Sequence, residues 1–232
     1  MTYLAVLVPS RGRPANVARL IEACEKTCEA ETVLHFGFDE DDPELAASEK
    51  AAFAGRMIFR QPSILVTVKP RMGLAAWTNE LAAHHTHAPY LASIGDDMVP
   101  VTPGWDRLLI EAQADIGGGI TYPNDKRRAD IPEAVVIDAR IVKALGWMCE
   151  PTLGHWYVDA VWRDLGAGMN RLAYRGDVVV EHRHPNVPGG DPPDQTYSDA
   201  ATGFAADLAA YQKWRLRRMR ADIATAREAV GA

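Results

Sequence analysis

The sequence predicts an α/β fold: a central mixed, mostly parallel sheet flanked by helices, with a helix at the C-terminal end. Three observations predict it. Continuous apolar, β-rich runs recur through the first half of the chain, as strands buried on both faces require. Segments of helical periodicity alternate with them, the mark of βαβ units. Most of these runs end in a charged or polar loop, and in parallel sheets the ligand lies beyond the carboxyl ends of the strands.

The first run, Tyr3 to Val8, stops at the turn-rich loop Pro9-Ser10-Arg11-Gly12-Arg13-Pro14. Val17, Leu20, Ile21, Cys24 and Cys28 then recur at helical spacing, with Asn16 as the expected N-cap. Val33 to Phe38 is a second strand, ending in the acidic loop Asp39-Glu40-Asp41-Asp42-Pro43, and a short helix follows to Phe53. A third strand, Ile64 to Val68, leads through Lys69-Pro70-Arg71-Met72-Gly73 into a helix over Leu74 to His84. The fourth, Tyr90 to Ile94, ends at Gly95-Asp96-Asp97.

The second half is less regular. Strands are expected at Ile120–Tyr122, Ala134–Ile137, Leu172–Tyr174 and Val178–His182, with helices at Ala139–Gly146 and His155–Leu165. Pro185 to Pro193 is too rich in Pro and Gly for regular structure and reads as a mobile loop or a lid, the lid extending to Tyr197. A long helix is expected from about Thr202 onward.

At 232 residues, with 47% hydrophobic and 24% charged residues, the chain suits one large domain that buries a core without disulfides. A net charge of −6 removes any global attraction to nucleic acid. Cys24, Cys28 and Cys149 form no CxxC pair and read as buried free thiols. With no signal-like leader and no apolar stretch near ~18 residues, the expected protein is reduced and cytoplasmic, with no transmembrane segment.

Adjacent carboxylates at a strand end are costly unless solvated or bound to a cation. Asp96 and Asp97 therefore suggest Mg²⁺ or Mn²⁺, which also accept phosphate oxygens. Near the end of the chain, alternation along Val178–His182 sends His182 and His184 to one side and Glu181 and Arg183 to the other. Imidazole suits Mn²⁺ better than Mg²⁺.

The opening strand with Pro-Ser-Arg-Gly-Arg-Pro, Asp39 after strand two, Arg71-Met72-Gly73-Leu74 before a helix, and Gly95-Asp96-Asp97-Met98 occur in a fixed order. That set resembles the inverting glycosyltransferases of the GT-A (Rossmann-like) fold, of the family-two type, including small enzymes of phage and bacterial genomes. The likeness spans Tyr3 to Tyr197 and rests on the set, no single motif being highly specific. It implies that Pro9, Ser10 and Arg11 line the nucleotide pocket. Asp39 would accept a hydrogen bond from the base, and Arg71 would contact base or diphosphate. Asp96 would face the ribose, Asp97 would ligate the metal, and His182 would be the late ligand with His184 near the diphosphate, or the reverse. Asp159 is the best match to the catalytic base, with Asp164 its rival, and Asn124 and Asp125 resemble an acceptor-side element. Met98 stands where the family's DXD motif often has another aspartate, and Arg11 and Arg13 replace the usual neutral residues.

The expected activity is thus transfer of a sugar from a nucleoside diphosphate sugar, UDP by default, to a hydroxyl acceptor on a glycan, a protein or a modified nucleic acid base. Residues 1–200 would form the catalytic domain, with its nucleotide half at 1–100 and its acceptor half at 101–200, and 201–232 would form a helical extension. A nucleotidyltransferase would want a glycine-rich phosphate loop after strand one, which Pro-Ser-Arg-Gly-Arg-Pro is not; a phosphate-ester hydrolase would want a larger metal cluster. A non-catalytic sugar-nucleotide or glycan-binding module is the alternative from another class. His84, His85 and His87 lack further ligands nearby and read as helix-end caps rather than a zinc site. The basic run Lys213 to Arg220 either docks on the core by its apolar stripe or meets a polyanionic surface.

Overall fold

The computed structural model describes residues 3–58 and 62–232. The first part of the chain comprises β1 (Tyr3–Ser10), α1 (Pro14–Thr27), β2 (Glu31–Asp39), α2 (Leu45–Ile58), β3 (Ser63–Lys69), α3 (Leu74–Ala83) and β4 (Tyr90–Ser93). There follow β5 (Met98–Pro100), α4 (Trp105–Asp115), β6 (Ile120–Asn124), β7 (Val135–Asp138), α5 (Ala139–Leu145), α6 (Val158–Met169) and β8 (Leu172–His182). The chain ends with α7 (Gln195–Ala201), α8 (Phe204–Arg217) and α9 (Met219–Val230).

The strands form one sheet in the order β3-β2-β1-β4-β7-β6-β8-β5. β1 to β4 are parallel, β7 runs against both β4 and β6, β8 is parallel to β6, and β5 closes the edge against β8. The expected mixed, mostly parallel architecture is the one observed. β1 shows why its run is apolar throughout: Ala5 and Leu7 point into one core, Leu4, Val6 and Val8 into the other.

The chain moves outward from β1 through β2 to β3, then returns to lay β4 on the other side of β1. This reversal makes a topological switch point at the carboxyl ends of β1 and β4, where Ser10 and the Gly95-Asp96-Asp97 turn emerge.

Several boundaries differ from expectation. α1 begins at Pro14, and Asn16 accepts a bond from Arg19 instead of capping. Leu172 to His182 is one strand with a register break opposite Pro123 and Asn124, so Arg175-Gly176-Asp177 is an irregularity within a strand and not a turn. The expected lid ends in a helix, α7, and the long C-terminal helix is broken at Arg218 into α8 and α9. Tyr211, Trp214, Ala226 and Val230 of these last helices are buried in the same core as Leu7 and Ile120. The apolar stripe of the basic segment docks there. No helix among the described residues is long and apolar enough to cross a membrane.

Candidate active site

The register of β5 on β8 pairs Met98 with His182, which brings the imidazole beside the carboxylate that precedes Met98. Two backbone bonds fix the junction: Arg183 N donates to Asp97 O at 2.9 Å, and His182 N donates to Asp125 O at 3.0 Å. His182 Nε2 faces Asp97 Oδ1 at 3.5 Å, while Nδ1 lies 2.7 Å from Glu133 Oε2. Burial disfavours the His182 imidazolium, but hydrogen bonds to Asp97 and Glu133 outweigh it and raise the pKa to about 9. An oxygen donor facing a nitrogen donor at this separation fits a divalent cation.

The acidic pair is buried and held by Arg13. Ser10 Oγ donates to Asp96 Oδ2 at 2.5 Å, and Arg13 Nη1 donates to Asp96 Oδ1 at 2.9 Å. The same guanidinium nitrogen lies 3.5 Å from Asp97 Oδ2. Burial raises the Asp96 pKa to about 6 against the pull of Arg13. Burial acts on Asp97 in the same sense, yet His182, Tyr197 and Arg13 together bring its carboxyl below the ordinary range. The other edge of Arg13 grips Asp194 through Nε at 2.6 Å and Nη2 at 2.9 Å, and the Tyr197 ring lies 4.5 Å from the guanidinium carbon. The Tyr197 hydroxyl donates to Asp97 Oδ2. The lid segment is thus tied to the acidic pair by its own side chains.

Asp159 occupies the first turn of α6, its Oδ1 accepting the backbone N–H of Ala160 at 2.7 Å. Burial raises its pKa, and the nearby Glu133 charge adds to that shift. Arg163 pairs with Asp164, and among the described residues Asp159 has no side-chain ion pair; Asp164 is further engaged by Tyr211. The turn before α6 is held from the C-terminal helices. Asp207, 5% exposed, accepts the N–H groups of Gly154, His155 and Trp156, each at 2.8 Å. Tyr157 sits in the left-handed region at φ 68°, stacked on Tyr211 with ring centroids 5.1 Å apart.

The remaining predicted residues divide. Asp39 is buried with three donors on it: Trp77 Nε1 at 2.6 Å, Met72 N at 3.1 Å and Arg11 Nη1 at 3.1 Å. Gly37 makes this possible, since a Cβ there would come within 2.5 Å of the Trp77 ring. Arg11 also reaches Asp41, so the two loops after β1 and β2 lock each other. Arg71 pairs with Asp199 of α7 at 2.7 Å. Pro9 lies in β1 beside Ser10. His184 stands apart from the acidic pair: its Nδ1 accepts Asn186 N, and its ring meets those of His182 and Tyr197 edge-on. Asp125 turns the loop after β6, its Oδ1 accepting Arg127 N and Arg128 N. Among the described residues, Asp125, Glu133 and His182 are the one group of potential ligands mutually within 4.8 Å. The histidines after α3 form no such group; His85 Nε2 lies 2.9 Å from His35 Nδ1 in the interior.

Arg13, Glu133, Tyr197 and Asp207 are the contributors that local sequence reasoning did not assign. Only Arg13 carried a signal, as an unusual charge in the first loop.

The strand order and the switch point between β1 and β4 match the GT-A fold. A mannosyltransferase, PcManGT from Pyrobaculum calidifontis, in complex with GDP-Man and Mn²⁺, superposes with a TM-score of 0.67 at 11% identity, over 97% of this chain and 73% of that one. Glucosyl-3-phosphoglycerate synthase from Mycobacterium tuberculosis, in complex with Mn²⁺, UDP-Glc and phosphoglyceric acid, gives 0.60 at 12% identity, over 90% of this chain and 79% of that one. Residues 1–349 of S. aureus TarS, in complex with UDP, give 0.62 at 9% identity, over 78% of this chain, which spans 59% of that one. No protein-family model matches the chain, and comparison with curated proteins gives no match.

Proposed function

We propose that the chain is a metal-dependent glycosyltransferase that moves a sugar from a nucleoside diphosphate sugar to a hydroxyl acceptor, with inversion. The observation that carries this reading is the meeting of Asp97 Oδ1 and His182 Nε2, at 3.5 Å, beside the switch point of the sheet. The solved neighbours with Mn²⁺ and a nucleotide sugar support it.

Asp97 and His182 would hold Mn²⁺ or Mg²⁺, which when bound stabilises the charge that grows on a departing diphosphate. The chain's own residues do the rest. Ser10 and Arg13 fix Asp96 on the ribose side, and Arg13 is placed to turn from Asp194 to a phosphate. Pro9 lines the nucleotide pocket. Asp39, which accepts two internal donors on Oδ1 and Arg11 on Oδ2, holds Arg11 and the 71–73 loop around the base and would accept from the base at Oδ2. Arg71 and His184 approach the diphosphate from the lid side. Asp159 takes the proton of the acceptor hydroxyl as that oxygen bonds to C1 and the bond from C1 to the diphosphate oxygen breaks. Its raised pKa brings the carboxylate closer to the affinity such a base needs. The lid, freed from Arg13 and Asp97 as the donor and cation take the places of Asp194 and Tyr197, would order over the donor and exclude water.

Calorimetric titration with UDP, with and without Mn²⁺, tests the reading. Metal-dependent binding that disappears in Asp97→Ala is expected. Unchanged metal-dependent binding in that variant, or no binding of any nucleoside diphosphate by the wild type, would refute it.

A further inference from the structure

We propose that Glu133 is the positioning residue of the metal centre: it holds His182 Nδ1 so that Nε2 is the nitrogen presented to Asp97. The inference rests on the reading of Asp97 and His182 as the metal-holding pair and names what aims the imidazole.

An imidazole offers two nitrogens, and the hydrogen bond made by one decides which lone pair the other presents. Glu133 Oε2 is 2.7 Å from Nδ1, a separation at which the carboxylate keeps a hydrogen on that nitrogen. The Nδ1–H tautomer leaves the Nε2 lone pair directed at Asp97. Without this partner, the tautomer with hydrogen on Nε2 would place that hydrogen where the cation must sit.

Glu133 is itself held. Arg127 Nη1 donates to both of its oxygens, at 2.8 Å and 2.7 Å. The Arg127 backbone is fixed in turn by Asp125 Oδ1, 2.7 Å from its N–H, and the Asp125 carbonyl accepts His182 N. Asp125, Arg127, Glu133 and His182 therefore close a ring of contacts across the loop between β6 and β7 and the end of β8. The second Asp125 oxygen, Oδ2, is buried and has no hydrogen-bond partner among the described residues. His184 has no equivalent support, since its Nδ1 serves the turn at Asn186.

The test is Mn²⁺ and Mg²⁺ affinity of the purified protein, Mn²⁺ by electron paramagnetic resonance and Mg²⁺ by competition. Only the imidazole distinguishes the two ions strongly. Compared after correction for proton competition at His182 from the pH profile of each variant, Glu133→Ala is expected to weaken Mn²⁺ binding about 10- to 100-fold while Mg²⁺ affinity changes far less, as His182→Ala should also do. Glu133→Gln keeps an oxygen that accepts from Nδ1–H and should restore Mn²⁺ binding to within about threefold of wild type. Glu133→Asp keeps the charge but withdraws it by one methylene and should bind Mn²⁺ as weakly as the alanine variant. If Glu133→Ala does not fold, the Gln and Asp variants decide. Asp equal to or stronger than Gln, or equal losses of Mn²⁺ and Mg²⁺, would overturn the proposal. Absence of Mn²⁺ binding by the wild type would instead overturn the metal reading itself.

Discussion

Replacement of Asp207 tests whether the C-terminal helices build the site or merely cover it. The carboxylate accepts three backbone N–H groups at 2.8 Å in a nearly dry position and so fixes the turn that leads into α6 and Asp159. Hydrogen bonds to a charged acceptor contribute about 1.5–3 kcal/mol each, and the three cannot be summed because they share one group. Opening of the turn lets water reach some of the freed N–H groups, so Asp207→Ala should cost about 3–5 kcal/mol. Asp207→Asn is the sharper probe. Its amide oxygen can serve one side of the cradle, but its NH₂ then points at backbone donors on the other. A loss of about 2–4 kcal/mol is expected although shape and volume are kept. With a urea slope of about 2–3 kcal/mol per M, the unfolding midpoint should fall by about 1 M. In the folded fraction, donor binding should persist while sugar transfer falls, because the displaced element carries the base. An asparagine variant within about 0.5 kcal/mol of wild type would show that the cradle contributes nothing net.

Four further outcomes follow from the structure. Tyr197→Phe frees Asp97 Oδ2 from the lid hydroxyl and should strengthen Mn²⁺ binding about three- to tenfold, the equivalent of one hydrogen bond; weaker binding would mean that the tyrosine assists the ion. His182, raised to about 9, must lose a proton to ligate, so Mn²⁺ affinity should climb about tenfold per unit between pH 7 and 9 with release of one proton; a flat profile by calorimetry excludes it as ligand. In the protein without metal the sign reverses: the stability from this histidine is fully present below pH 6.5 and fades as pH rises through 9. Burial, with His85 and His84 beside it, lowers His35 to about 4, so stability should fall by up to about 3 kcal/mol as pH drops from 6.5 to 4; urea midpoints that ignore pH in this window would refute it.

The first half of the fold was legible because its signals are local. A strand buried on both faces must be apolar along its whole length, and Tyr3–Ser10 and Glu31–Asp39 are continuous enough to be read directly. β5 is three residues long and too short to leave a pattern. In β8, Arg175-Gly176-Asp177 has turn composition, yet pairing with β6 before it and with β5 after it holds it within one strand. Asp96, Asp97 and His182 could be singled out because strand ends announce themselves. The contacts that organise them could not: Arg13 meets Asp194, and Glu133 meets His182, through tertiary packing that no local spacing encodes. Asp207 looked like any charge in the first turn of a helix, and its burial against three N–H groups follows only from how α8 docks.

The same long-range contacts bear on how such a site could exchange partners. Asp96 and Asp97 are balanced by Arg13 and His182, and Arg13 is balanced in turn by Asp194. A divalent cation with a diphosphate brings charges of both signs, and each has a group prepared for it. The cation can replace the His182 proton and the Tyr197 hydroxyl at Asp97, while a phosphate can replace the Asp194 carboxylate at Arg13. Binding is then an exchange of equivalent contacts instead of burial of new charge, and the large cost of desolvating an unpaired ion is avoided. On this argument the cation and the diphosphate should bind cooperatively, since each removes one of the ties, at Asp97 and at Arg13, that help hold the lid segment.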